Sequence, residues 1–149
     1  GILINNPEMT GVYRKDIPIH RTYFHEIAQP AEIEQRLTTV LDYINGKRDR
    51  DVHPIEFAAN VHHRFMRVFP FSKHSGMIGR LMLNYCLTRS GYIPAVVHAT
   101  DRQRYYEALR GEERGFREFL CETMENGLEK VQNERRYAAR APTIVCAQP

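Results

Sequence analysis

Between Val68 and Tyr85 the chain reads VFPFSKHSGMIGRLMLNY. Lys73, His74, Ser75 and Gly76 stand together in it, and Arg80 follows four residues after the glycine. If a helix starts near Ser75 or Gly76, Arg80 lies one turn inside and reaches back beside the helix N-terminus. Exposed N–H groups and the positive dipole end are found there. Gly76 permits a close approach that a β-carbon would block. The chemistry these residues offer is the holding of an anion, phosphate first among candidates. His74 is the loop's one group suited to proton transfer near neutral pH, and so the candidate catalytic residue.

The surrounding charge pattern agrees. From Phe57 to Thr100 there is no Asp or Glu, whereas the same stretch holds Arg64, Arg67, Lys73, Arg80 and Arg89 with His62, His63, His74 and His98. A magnesium ion demands hard oxygen ligands, and this segment supplies no carboxylate. No metal site is expected. His62 and His63 are adjacent on a helix and face different directions; the first is read as a packed, hydrogen-bonded core histidine and the second as exposed.

The whole chain has 149 residues, 42% of them hydrophobic, enough for one core and one domain. Its net charge of +3 is mild and does not mark a nucleic-acid binder. Cys86, Cys121 and Cys146 form no CxxC pair and no even set, which points to a reduced, cytoplasmic setting. No apolar run approaches the roughly 18 residues of a membrane span. A start at Gly1 rather than Met is read as a domain cut from something longer.

The elements that must position the loop are mostly helical. Gly11–Phe24 alternates Val12, Ile17, Ile19 and Tyr23 with polar residues, the pattern of a small β element. Pro30 opens a first helix on Ile33, Leu37, Val40, Leu41 and Ile44, and Gly46 ends it. Pro54 opens a second, with Ala58, Val61, Phe65 and Val68 inward and Pro70 as its stop. A third carries Leu81, Leu83 and Leu87 and stops near Ser90–Gly91. Asp101 is the expected N-cap of a short helix holding Tyr105, Tyr106 and Leu109. A long helix turns Phe116, Phe119, Leu120, Met124, Leu128 and Val131 inward, and the stretch AARAPTIVCAQP that ends the chain has no helical period. A single domain over 1–138 is expected, with its core at about 11–131 and a tail at 139–149.

In order along the chain, GVYR, HHRFMRVFPF, the glycine-containing loop, GRLMLNY, SGYIPAVV and RYYEAL resemble the Fic domain of the Fic/Doc family from about Gly11 to Val131. The resemblance implies a mainly α, Fic-like helical bundle with a β-hairpin flap over the site. Most members of that family transfer AMP from ATP, with Mg²⁺, onto a hydroxyl of a target protein. The family signature HPFx[D/E]GNGRxxR is matched here by FPFSKHSGMIGR. Pro70, Phe71, Gly76 and Arg80 agree. Phe69 takes the place of the general-base His, Lys73 that of the Mg²⁺-binding acid, His74 and Ser75 those of the Gly and Asn of the anion loop, and Met77 that of the first Arg. A phenyl ring accepts no proton, and general-base help is worth about 10²–10⁴ in rate. Lys73 repels a divalent ion yet can neutralise phosphate itself. Tyr105 and Tyr106 match a family tyrosine near the nucleobase, and Val12–Phe24 match the flap, to which a target segment adds as a strand. CETMEN, Cys121–Asn126, falls short of the family's inhibitory helix pattern and is read as part of the last helix.

Two functional expectations follow. In the first, the site has lost standard AMP transfer and the chain is a phosphate- or nucleotide-binding, or protein-binding, regulatory module. Its candidate ligand residues are Lys73, His74, Ser75, Gly76, Arg80, Tyr105 and Tyr106. The ligand is ATP or another nucleotide held without Mg²⁺, and a protein target or partner meets the flap. In the second, the chain is a repurposed metal-independent transferase or hydrolase acting on a phosphorylated substrate through Lys73, Arg80 and His74. Neither involves a membrane or nucleic acid.

Overall fold

The computed structural model describes residues 11–18, 25–46 and 52–140, with side chains through 137. A 3₁₀ turn, Pro30–Glu32, leads into α1 (Ile33–Asn45); α2 (Pro54–Val68) and α3 (Ser75–Arg89) follow. A second 3₁₀ turn, Ala99–Asp101, leads into α4 (Arg102–Arg110), and α5 (Glu113–Arg140) closes the order. The stops and starts are those the prolines and glycines dictate: Pro30 and Pro54 sit in first turns, and Gly46 follows α1. His53 caps α2, its Nδ1 accepting the Ile55 N–H at 3.3 Å.

Helix α2 is the centre of the bundle. It packs on α3 along one side, on α5 along another and on α1 along a third. Phe57, Ala58, Ala59, Val61, Phe65, Met66 and Val68 are therefore all buried, and they join Leu83 and Leu87 of α3 with Phe116, Phe119, Leu120 and Met124 of α5. This surrounding also buries both histidines. His62 stacks on Phe116 with ring centroids 4.8 Å apart and shares a 2.9 Å hydrogen bond with the Tyr105 hydroxyl. His63, expected at the surface, is 1% exposed and donates to the Gly111 carbonyl at 3.0 Å. The expectation fails because adjacent positions of a helix enclosed by several neighbours can both face the interior.

Four apolar positions depart the other way. Leu41 is 45% exposed, Leu81 55%, and Leu128 and Val131 44% each. The buried stripe of α5 ends at Met124, and the helix runs on through Arg140, past the point where AARAPTIVCAQP had been expected to lose helical structure.

The β-hairpin flap expected over Val12–Phe24 is not supported. The described part, residues 11–18, contains no strand, and residues 19–24 lie outside the described residues. The physical reason is Arg14. Apolar alternation predicts a segment held by Val12 and Ile17, but Val12 is 41% exposed while Arg14 is buried. The Arg14 N–H donates to the Pro70 carbonyl at 2.9 Å and its guanidinium turns inward. Nε donates to the Phe69 carbonyl at 2.7 Å, and one terminal nitrogen reaches the Val68 carbonyl at 3.2 Å and the Ala28 carbonyl.

With this arginine the end of α2 is fully accounted for. The last four carbonyls of a helix have no partner inside it. Here Phe65 accepts from Phe69 N–H, Met66 from His25 Nε2 at 3.0 Å, Arg67 from Ala28 N–H at 2.8 Å, and Val68 from Arg14.

Candidate functional site

The loop between α2 and α3 is shaped by two residues of left-handed backbone. Phe69 has φ 46° and His74 φ 65°, a conformation that costs a non-glycine residue about 1–2 kcal/mol. Arg14 holds the Phe69 carbonyl and so fixes the first of these turns. The Phe69 ring is 2% exposed and meets His25 edge-on, with centroids 6.3 Å apart. The position that the resemblance assigns to a general base thus carries an apolar ring packed in the core.

Inside the loop, Ser75 accepts the Phe71 N–H at 2.9 Å and donates to the Phe71 carbonyl at 2.8 Å. Its hydroxyl is committed to holding the loop closed, and the residue is fully buried. Lys73 is exposed and is not among the residues lining the cavity described next.

A cavity of about 520 Å³ opens at the start of α3. From α3 and its entering loop come His74, Gly76, Met77 and Arg80; Met66 forms part of the floor, and Val97, His98, Ala99, Arg102, Tyr105 and Tyr106 make the facing wall. No carboxylate lines it. Arg80 does reach back along α3: its guanidinium nitrogen lies 3.4 Å from where a β-carbon on Gly76 would stand. Two helix N-termini border the cavity, those of α3 and α4, and neither has a side-chain cap. Asp101 occupies the expected N-cap position of α4 without making the capping bond. The facing wall is held by Asn84 of α3, whose amide accepts the Ala95 N–H at 2.8 Å and donates to the Ala95 carbonyl at 3.2 Å.

Of the two tyrosines, Tyr105 is buried and tied to His62, whereas Tyr106 is half-buried at the rim with Arg102 over its ring, 5.9 Å from the centroid. The basic island of the sequence is divided. Arg64 pairs with Glu113 at 2.6 Å and Arg67 with Glu26 at 3.1 Å, while among the described residues no carboxylate pairs with Arg80. Burial pushes His62 down to about 4, so this ring is neutral at physiological pH.

The structure therefore brings together His74, Gly76, Arg80, Tyr105 and Tyr106, and places Lys73 and Ser75 elsewhere. Arg102 and His98 were missed by sequence reasoning. Arg102 carried one usable signal: on a helix it stands four residues before Tyr106, which sets its guanidinium over that ring. Magnesium does not fit the residues present. The cavity offers it no carboxylate oxygen, and the described residues contain no cluster of His, Cys, Asp or Glu able to hold a metal ion.

Comparison with known proteins places this geometry. The profile of the Fic/DOC family matches residues 2–87. A protein of Nematostella vectensis named Protein adenylyltransferase Fic is 31% identical over 109 residues, covering 70% of this chain and 26% of that protein. Its namesake in Aedes aegypti is 29% identical over 104 residues, covering 67% and 21%. Among solved structures, Fic-1 from C. elegans superposes with a TM-score of 0.67 at 25% identity, over 87% of this chain and 38% of that one. A Fic domain containing signaling protein from Bacteroides thetaiotaomicron gives 0.63 at 27% identity, over 70% and 47%. The chain spans about a quarter of the length of these curated relatives. A helical bundle of this order, a motif loop bent between α2 and α3, and a profile match across more than half of the residues lead to one assignment: the chain belongs to the Fic/DOC family.

Proposed function

We propose that this Fic-family chain binds the phosphate groups of a nucleotide, without metal-assisted AMP transfer, and acts as a regulatory binding module. One observation carries the reading: the cavity at the N-termini of α3 and α4 is lined by arginine and histidine and by no carboxylate. Phosphate satisfies uncapped helix N–H groups and unpaired guanidinium together. Relatives named adenylyltransferases support a nucleotide as the ligand class. The chemistry those names describe lacks its expected parts here, since Phe69 is packed in the core and Lys73 stands at the acid position.

The test is titration calorimetry with ATP in EDTA, alongside labelled ATP with Mg²⁺ and cell lysate. Binding that persists in EDTA and weakens at least tenfold in Arg80→Ala is the expected result. Strong protein labelling that disappears in Arg80→Ala would overturn the reading.

A second reading, metal-independent transfer or hydrolysis on a phosphorylated substrate, is favoured by one placement: His74 lines the same cavity as Arg80. Lys73 does not, so the grip on substrate falls to Arg80. On this reading turnover is found in EDTA and is lost in His74→Ala; turnover unchanged by that substitution removes His74 from the chemistry.

A further inference from the structure

Arg102 is the opening residue of α4 and lines the same cavity as Arg80 of α3. Asp101 precedes it at the N-cap and makes no side-chain capping bond. Several other arginines are paired with carboxylates: Arg64 faces Glu113, Arg104 faces Glu122 and Arg117 faces Glu56. Among the described residues no carboxylate is within ion-pair distance of Arg80 or Arg102. The Tyr106 ring lies 5.9 Å beneath the Arg102 guanidinium. Such stacking steadies the planar group and leaves its edge N–H donors available. Of the other polar groups on this wall, His98 lies 3.4 Å from the Lys130 ammonium, so a further positive charge borders the site.

Two guanidinium forks brought to one cavity by different helices suit a ligand with two linked anionic groups. A ligand whose one anionic group engages Arg80 alone leaves Arg102 unmatched. We infer that Arg102 is the second cation of the anion site, and that with Arg80 it selects a diphosphate-bearing nucleotide over a monophosphate without a divalent ion. The inference rests on the phosphate-binding reading above and assigns a task to a residue which that reading does not need.

The experiment is calorimetric titration of AMP and ADP in EDTA against the unaltered chain, Arg80→Ala, Arg102→Ala and, as a control far along α3, Arg89→Ala. One added charge-assisted contact predicts that the unaltered chain and Arg89→Ala prefer ADP by about tenfold. In Arg102→Ala the preference is expected to fall within about twofold while AMP affinity changes less than about threefold; Arg80→Ala weakens both ligands. If Arg102→Ala keeps the ADP preference while Arg80→Ala weakens both, Arg102 is not the second cation and the phosphate site stands. If the unaltered chain binds neither nucleotide, the phosphate-binding reading falls and takes this inference with it. Tighter ADP binding with Mg²⁺ than in EDTA overturns the metal-free part. Circular dichroism melting checks each fold, and Arg102→Gln, which keeps length and polarity, replaces the alanine variant if that one melts early.

Discussion

Arg14 is the residue on which the rear of the motif loop depends. Its guanidinium serves the carbonyls of Val68, Phe69 and Ala28, all inside the protein, and no water can substitute without access. Arg14→Ala leaves those acceptors unmatched, each lost charge-assisted bond costing about 1–3 kcal/mol. We expect a loss of roughly 3 kcal/mol in urea unfolding, and a larger effect on the loop than the methylene area alone explains. His62 makes a second prediction, in pH. Burial lowers it from 6.5 to about 4, so the folded chain keeps the ring neutral where the unfolded chain protonates it. The unfolded state then binds more protons between those values, and stability declines as pH is lowered from 6.5 toward 4, by an amount on the order of a few kcal/mol. His63, lowered by burial too, adds to the same limb. Urea midpoints measured across that range should show the decline, and His62→Gln should flatten it.

At the scale of elements, the close approach of α2 and α3 is set by Gly79. A β-carbon there would stand 3.0 Å from Met66 Sδ, 3.2 Å from His62 Cε1 and 3.2 Å from Phe65 Cδ1. Alanine has about 1 kcal/mol more helix propensity than glycine, but overpacking costs about 1–3 kcal/mol. Gly79→Ala is therefore expected to destabilise by about 1 kcal/mol, whereas Gly127→Ala on α5, with nothing within 4 Å of its β-carbon, should stabilise by up to about 1 kcal/mol. Thermal melts of the two variants, moving in opposite directions, check this. The contrast also explains what could be read beforehand. Helix starts and stops were legible because Pro30, Gly46, Pro54 and Pro70 act locally. The cavity's Gly76 and Arg80 were legible for the same reason, being one turn apart. What was hidden depends on neighbours distant in sequence. His63 is buried by a carbonyl 48 positions away, and the segment around Arg14 is anchored through a polar residue to Phe69, 55 positions on, where alternation of apolar residues pointed to a hairpin. Ser75 was credited to the ligand, but its hydroxyl closes a loop bond to Phe71. Arg102 was overlooked because its partner wall is built from another helix.

At the scale of the molecule, the net charge of +3 understates a local field. Arg64, Arg67 and Arg117 are matched by Glu113, Glu26 and Glu56, whereas Arg80 and Arg102 line one cavity and, among the described residues, pair with no carboxylate. Partly exposed charges are screened within about 10 Å at 0.1 M salt. Nucleotide affinity is expected to drop about tenfold between roughly 0.05 and 0.5 M KCl; titrations insensitive to salt would show that the arginines do not carry the binding. No described helix is long and apolar enough to cross a membrane. The left-handed turn at Phe69 also sets what a substitution there can do. That backbone carries the ring against His25 in the interior. A histidine at position 69 held by the same backbone would exchange an apolar neighbour of His25 for a second imidazole, so the residue type written at a motif position and its access to a ligand are separate properties of this loop.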